Sequence, residues 1–157
     1  MSWLREEFAF YDLQKLLHKL AERVKAFAGL APAEIAEVLA RAEKCTYDSG
    51  MTIVSEGSVG HHMYLILEGE AQVTKRGRRG EIELARLTAA DSFGEMALAD
   101  KETRSASVIA LSRCVLVRIG EPALEVSPEI GLKIYRNIAR VLSGRLRQAD
   151  DLLAWRL

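Results

Sequence analysis

Residues 93–108 read Phe-Gly-Glu-Met-Ala-Leu-Ala-Asp-Lys-Glu-Thr-Arg-Ser-Ala-Ser-Val and interrupt a series of short strand-like segments. Gly94 allows the backbone to approach a bound group closely, and the good helix formers from Glu95 to Ala99 predict one short helical turn. The N-terminus of such a turn presents unpaired N–H groups that suit an anion. Arg104 follows, and its guanidinium binds phosphate through a fixed fork of donors. The segment therefore predicts a phosphate-type site in which the Glu95 carboxylate faces another group, such as a sugar hydroxyl.

The residues around this segment predict short strands joined by tight turns. Eight of the eleven glycines lie between Gly50 and Gly120, and they separate the apolar, β-branched segments. These predicted strands cover residues 51–54, 63–67, 71–74, 82–87, 107–110 and 114–119. Several short strands with closely spaced turns are typical of a sandwich or a small barrel.

Helical periodicity is confined to the two ends of the chain. Near the N-terminus, steps of three and four predict one helix with a single apolar stripe. The stripe consists of Phe10, Leu13, Leu17, Leu20, Val24 and Phe27. Pro32 predicts the first turn of a second helix, and Ser127-Pro128-Glu129 predicts the capped start of a long third one.

The overall composition is that of a globular domain. The 157 residues carry 22 basic and 22 acidic side chains, so no net charge draws the chain to nucleic acid or to an anionic membrane. Residues 1–12 contain acids where a signal peptide needs an apolar stretch, and no apolar run approaches bilayer length. With only Cys45 and Cys114, a disulfide framework is not expected. We expect a soluble cytoplasmic protein with two buried, unreactive thiols.

Residues 93–108 closely resemble the phosphate-binding cassette of cyclic-nucleotide-binding domains. These domains occur in bacterial catabolite activator proteins, cAMP-dependent kinase regulatory subunits and cyclic-nucleotide-gated channels. Residues 47–69 also resemble the glycine pattern of the family's β-roll, Tyr-x-x-Gly-x-x-Ile-x-x-Glu-Gly-x-x-Gly-x-x-Met-Tyr-x-Ile-x-x-Gly, and residues 24–30 resemble its N-terminal helical turn. The joint match covers roughly Leu20 to Leu153, and two long motifs in the right order are specific.

The resemblance implies an α+β, mainly β, fold. Its centre is a double-stranded β-helix, a jelly-roll-like β-roll, flanked by N-terminal helices and a long C-terminal helix. We expect an N-terminal helical segment at 1–42, the β-roll at 43–120 with the cassette at 93–108, and lid and dimerisation helices at 121–157.

The resemblance also assigns roles within the site. Glu95 is expected to accept a hydrogen bond from the ribose 2′-hydroxyl, Arg104 to pair with the cyclic phosphate, and Ser105 to donate a hydroxyl to it. Backbone N–H groups of Gly94, Glu95, Met96 and Ala97 are expected to complete the cradle. Val73, Leu84 and Ala85 fall where the family packs base and sugar against the barrel wall.

The last helix carries a second predicted function. Ile138, Leu142, Arg145, Ala149 and Leu152 are spaced as the a and d positions of a coiled coil, which predicts a homodimer seam. In the family this helix also closes over the base. Arg145 either contacts the base or extends from the seam into solvent. Trp155 is an alternative aromatic cap, with end packing or an interface as the other interpretation.

Other patterns in the sequence favour simpler interpretations. Adjacent His61 and His62 on a strand point to opposite faces, so we expect no metal site. The basic segment 75–80 predicts a solvated hairpin tip, with a phosphate or partner contact as the alternative. No serine, cysteine or carboxylate constellation indicates catalysis, so we expect no enzyme activity.

We therefore expect a bacterial signal-transduction module, a regulatory domain that binds cAMP or cGMP and couples binding to the position of the last helix. Serine at position 105 favours cAMP over cGMP, because it resembles bacterial cAMP binders. No cofactor besides this ligand, no direct DNA contact and no membrane segment are expected. One alternative is a ligand-binding fragment of a transcription regulator or ion channel. Another is a degenerate β-roll that binds no nucleotide, in which Glu95 and Arg104 bridge the cassette and the domain binds proteins.

Overall fold

A computed structural model describes residues 3–101 and 103–156, so Glu102 of the cassette and the outermost residues of the predicted end segments lie outside it. The N-terminal part consists of helices α1 (Trp3–Glu7), α2 (Phe10–Arg23) and α3 (Pro32–Ala40), with a 3₁₀ helix over Lys25–Phe27 between the last two. The prediction of one continuous helix from Phe10 to Phe27 was wrong. The backbone becomes extended at Val24, and the 3₁₀ helix returns Phe27 to the core. Phe10, which begins α2, is 80% exposed.

The middle of the chain forms two four-stranded antiparallel sheets, which confirms the expected β-roll. The first sheet has the order β1 (Glu43–Tyr47), β8 (Cys114–Gly120), β3 (His62–Glu68), β6 (Ser92–Phe93). The second has the order β2 (Thr52–Val54), β7 (Ser107–Ala110), β4 (Ala71–Gly77), β5 (Gly80–Leu87). The strands predicted from the sequence include neither β6 nor β1, because β6 has only two residues and β1 begins with the charged pair Glu43-Lys44.

Alternation along β3 explains its continuous apolar sequence. Met63 and Leu65 pack against the helices, whereas Tyr64 and Ile66 point into the roll. Successive side chains of a strand face opposite sides, so a strand buried on both faces lacks the usual polar alternation. This first sheet therefore separates a helical core from the interior of the roll, where the site lies.

The cassette forms the short helix α4 (Met96–Ala99), and the chain ends in α5 (Glu121–Leu124) and the 29-residue α6 (Pro128–Arg156). The predicted cap is present, because the Ile130 N–H donates to Ser127 Oγ at 3.1 Å. Buried Asn137 anchors α6 by donating from Nδ2 to the carbonyls of Ala26 at 3.0 Å and Ala28 at 2.7 Å.

Two of the five residues of the predicted coiled-coil seam face the domain itself. Ile138 is 1% exposed and belongs to the helical core, and Arg145 turns towards the cassette. The exposed apolar row shares Leu142 and Ala149 with that seam but does not include Ile138, because Ile138 packs in the helical core. This row consists of Leu132, Tyr135, Ala139, Leu146, Ala149 and Leu153, with partly buried Leu142 in its middle.

Candidate functional site

A cavity of about 350 Å³ lies between the cassette, the second sheet and α6. Val54, Val73, Leu87 and Val108 form its apolar wall, and the cassette and Arg145 supply its polar groups. A wider cleft of about 750 Å³ between α2, β5 and α6 shares Leu87, Ser92, Glu95 and Arg145 with it. The space opposite the cassette therefore continues along α6.

Arg104 brings a partly buried positive charge to this cavity. Its Nη2 donates to the carbonyl of His62 at 2.7 Å, and its Nη1 lies 3.5 Å from the carbonyl of Gly94. It forms no ion pair with any carboxylate of residues 3–101 and 103–156. Burial lowers the pKa of the Arg104 guanidinium, which the nearby Tyr64 partly offsets. A partly desolvated cation without a carboxylate is suited to an anionic ligand.

Two glycines border the guanidinium and leave it room. A Cβ atom at Gly94 would lie 2.4 Å from Nη1, and one at Gly60 would lie 2.2 Å from Nε. Gly94 also has φ +77°, a conformation that side chains disfavour. Glycine at position 94 is therefore required both by the backbone and by the position of Arg104.

Glu95 pairs with Arg145 of α6, not with Arg104. Its Oε1 accepts from Arg145 Nη2 at 3.0 Å, and its side chain is only 14% exposed. Arg145 Nη1 also lies 3.2 Å from Met96 Sδ. The expected alternative of a Glu95–Arg104 bridge is therefore wrong, and the pairing that exists joins the cassette to the last helix.

The backbone of the cassette makes the predicted helical turn. The N–H of Ala97 donates to the Gly94 carbonyl at 3.1 Å, and the N–H of Leu98 donates to Glu95 at 3.2 Å. Of the amides expected to cradle phosphate, the one at Ala97 is thus engaged within the turn. Ser105 is exposed beside Arg104, and its carbonyl accepts from Lys75 Nζ at 2.9 Å. The basic hairpin tip therefore contacts the cassette through Lys75.

The structure brings most of the predicted site residues together around the cavity. These are Val73, Gly94, Glu95, Met96, Ala97, Arg104, Ser105 and Arg145. Leu84 and Ala85 are exposed and do not line it. Val73 pairs with Ala85 and Thr74 with Glu83, so Leu84 is the extra residue of a β-bulge, and it is 55% exposed.

Three wall residues, Leu87, Val54 and Val108, are not among the site residues predicted from the sequence. Leu87 lies two residues after Ala85 on β5, so alternation along the strand places both side chains on one face of the sheet. That alternation is the signal that points to Leu87. Val54 and Val108 are paired across β2 and β7. Nothing local in the sequence indicates that pairing.

The other candidates lie away from the cavity. Trp155 is 89% exposed and does not line it. His61 and His62 border a separate 170 Å³ depression, and burial lowers the pKa of His62. Within the described residues, no three His, Cys, Asp or Glu side chains come together as a metal site requires.

The two cysteines are both free thiols. Cys114 is buried and Cys45 only partly so, and burial raises the pKa of both. Raised thiol pKa values are typical of unreactive cysteines. In the described part of the chain, no helix combines the length and apolar character that crossing a membrane requires.

The family model, the relatives and the solved structure that match this chain all indicate the same family. Residues 44–126 match the family model described as "Cyclic nucleotide-binding domain". The chain is 34% identical over 134 residues to the Cyclic AMP receptor protein of Thermus thermophilus, covering 82% of this chain and 62% of that protein. It is 32% identical over 110 residues to the cAMP-dependent protein kinase regulatory subunit of Aspergillus fumigatus, covering 70% of this chain and 26% of the subunit. The crystal structure of the Thermus thermophilus Catabolite Activator Protein superposes with a TM-score of 0.74 and 32% identity, covering 83% of this chain and 63% of that one. The chain thus spans less than two thirds of each of these proteins.

Proposed function

This chain belongs to the cyclic nucleotide-binding domain family, and we propose that it is a regulatory sensor module that binds cAMP in preference to cGMP. The proposal rests on Arg104, which brings a partly buried positive charge to a cavity of about 350 Å³. Among the described residues, no carboxylate forms an ion pair with it. The names of the relatives, a cyclic AMP receptor and a cAMP-dependent regulatory subunit, support cAMP as the ligand.

Each part of the ligand has a matching group in the cavity. The cyclic phosphate pairs with Arg104 and the hydroxyl of Ser105, since a guanidinium and a hydroxyl both donate to phosphate oxygens. The ribose hydroxyl donates to Glu95, which is an acceptor only. The base packs against Val73 and Leu87, which supply the apolar wall.

The lining of the cavity supports binding without catalysis. It contains no histidine or cysteine among the described residues, and its carboxylates belong to Glu95 and Asp100. Glu95 is already paired with Arg145, so its carboxylate is not free to act as a base. The proposal places this binding module in the bacterial cytoplasm, a reducing compartment that suits two free thiols.

The Glu95–Arg145 pair offers a route from the ligand to α6. Arg145 and the ribose hydroxyl are both donors, and they compete for the same largely buried carboxylate. Beyond Gly144, Arg145 alone among the described residues of α6 forms a hydrogen bond or ion pair with the body of the domain. A ligand that displaces Arg145 therefore releases the last turns of the helix, and Arg145 becomes free to contact the base.

The exposed row on α6 supports a homodimer. Its apolar residues recur at steps of three and four, which is the repeat of a two-helix seam. We place the second copy along Leu132, Leu146 and Leu153, and not along the row that contains Ile138. The proposal does not extend to DNA binding.

Calorimetry of the wild-type chain with cAMP, cGMP and 5′-AMP tests the proposed function. We expect one site per chain with micromolar or tighter binding of cAMP, weaker binding of cGMP, and weakest binding of 5′-AMP, whose open phosphate has a different shape. Binding of 5′-AMP equal to that of cAMP would refute a cyclic-nucleotide site.

Hydrogen exchange of residues 145–156 tests the coupling to α6. Saturating cAMP is expected to speed exchange there, and Arg145→Gln to do so without ligand. Arg147→Gln is the matched control, because Arg147 is an exposed arginine on the same helix. Slower exchange of this segment on adding cAMP would contradict the release of α6.

A further inference from the structure

Two stacked aromatic rings lie beneath the guanidinium of Arg104. The centre of the Tyr64 ring is 5.9 Å from Arg104 Cζ, and the Phe93 ring stacks on Tyr64 at 5.0 Å with an angle of 8° between the planes. Tyr64 is buried and does not line the cavity, so it contacts the site only through other residues.

The strands that carry these rings also carry the acceptors that hold Arg104. His62, whose carbonyl accepts from Nη2, lies two residues before Tyr64 on β3. Gly94, whose carbonyl faces Nη1, directly follows Phe93. Tyr64 and Phe93 are themselves paired across β3 and β6. The two rings therefore join the two pieces of backbone on which the position of the guanidinium depends.

The place of Tyr64 is fixed as well. Tyr64 lies opposite Arg118 across β3 and β8, and Arg118 forms an ion pair with Glu43 across β1 and β8. A buried ring that stacks on Phe93 has little freedom to move. Attraction between a cation and an aromatic face is stronger in a partly desolvated site than in water.

We propose that Tyr64, supported by Phe93, is a positioning residue that sets the place of the Arg104 guanidinium before the anion arrives. This inference rests on the proposed binding of a cyclic nucleotide. Two carbonyls hold the guanidinium laterally and the ring supports it from below. Nε has no acceptor among the described residues. The fork is thus pre-ordered, so less side-chain freedom is lost when phosphate binds.

Calorimetry with cAMP on three variants tests this role. Tyr64→Phe keeps the ring and is expected to bind within twofold of wild type. Tyr64→Leu removes the ring and is expected to bind at least fivefold more weakly. Tyr47→Leu is the matched control, because Tyr47 packs in the same cluster and is expected to leave binding within twofold of wild type. Unchanged binding by Tyr64→Leu, or an equal loss in Tyr47→Leu, would overturn the proposal.

A double-mutant cycle separates positioning from general loosening of the roll. In the Arg104→Ala background, Tyr64→Leu is expected to change binding less than twofold, because its effect passes through Arg104. A full fivefold loss in that background would overturn the inference. Phe93→Leu provides a second variant if Tyr64→Leu does not fold, and it is expected to weaken binding as well.

A measurement without ligand keeps this inference separate from the proposed function. A proton over an aromatic face is shifted upfield, so the Arg104 Nε–H signal in NMR is expected to be shifted in the wild type and in Tyr64→Phe but not in Tyr64→Leu. If the wild type binds no cyclic nucleotide, the proposed function fails, but this signal still tests whether the Arg104 guanidinium lies over the Tyr64 ring. An Arg104 signal identical in all three proteins would refute it.

Discussion

Replacement of Arg104 by alanine removes the only described cation whose side chain is held by the backbone of the cassette and of β3. A phosphate bound there is expected to receive two charge-assisted hydrogen bonds, each contributing about 1.5–3 kcal/mol. The cavity is open to solvent along α6, so the lower value applies, and the loss is about 3 kcal/mol in total. At about 1.4 kcal/mol for each tenfold change, Arg104→Ala is expected to weaken cAMP binding about 100-fold.

The same change is expected to leave the stability of the ligand-free protein nearly unaltered. It frees the carbonyls of His62 and Gly94, but it also removes a partly desolvated cation, and these effects oppose each other. The free energy of unfolding is expected to change by less than about 1 kcal/mol.

Calorimetry with cAMP on wild type, Arg104→Ala, Arg104→Lys and Arg79→Ala is the assay. Arg104→Lys keeps the charge and loses the fork, so an intermediate loss is expected. Arg79 is an exposed arginine of the β4–β5 hairpin, and its replacement controls for net charge. Binding of Arg104→Ala within threefold of wild type would refute the assignment of the phosphate to this residue.

Three further predictions concern the helices. A Cβ atom at Gly144, inside α6, would meet no atom within 4 Å, and alanine favours a helix more than glycine does. Gly144→Ala is therefore expected to stabilise the fold by about 1 kcal/mol and to raise Tm by about 2–4 °C, and a lower Tm would contradict this. The pKa of Glu34 is lowered by its hydrogen bond from the Ala31 N–H and, next, by its hydrogen bond from Lys133. The charged Glu34 carboxylate therefore stabilises the fold above its unfolded-state pKa near 4.5, and this stabilisation is lost as pH falls through the lower folded-state pKa. In urea unfolding, Glu34→Gln is therefore expected to be about 1 kcal/mol less stable at pH 7, with a difference that shrinks in acid, whereas a difference independent of pH would argue against it. Leu146→Glu is expected to sediment at half the wild-type mass, and a monomeric wild type would refute the seam.

Local patterns in the sequence were sufficient for the cassette and the helix starts. The turn at 94–99 and the cap at Ser127 each depend on residues within a few positions of one another. The family resemblance fixed the β-roll for the same reason, because its glycines mark turns. Such features are readable because the interactions that create them connect near neighbours in the chain.

The sequence by itself determined the glycine turns of the roll, the short helix of the cassette and the place of Arg104 after it, since each is encoded in contiguous residues. Tertiary structure alone decided that Glu95 pairs with Arg145, 50 residues away, and that a bulge turns Leu84 out of the wall. It also decided which face of α6 is exposed, because Ile138 is buried in the helical core and Asn137 is hydrogen-bonded to the carbonyls of Ala26 and Ala28. Periodicity specifies that a helix has an apolar face, but the direction of that face is set by partners distant in the chain.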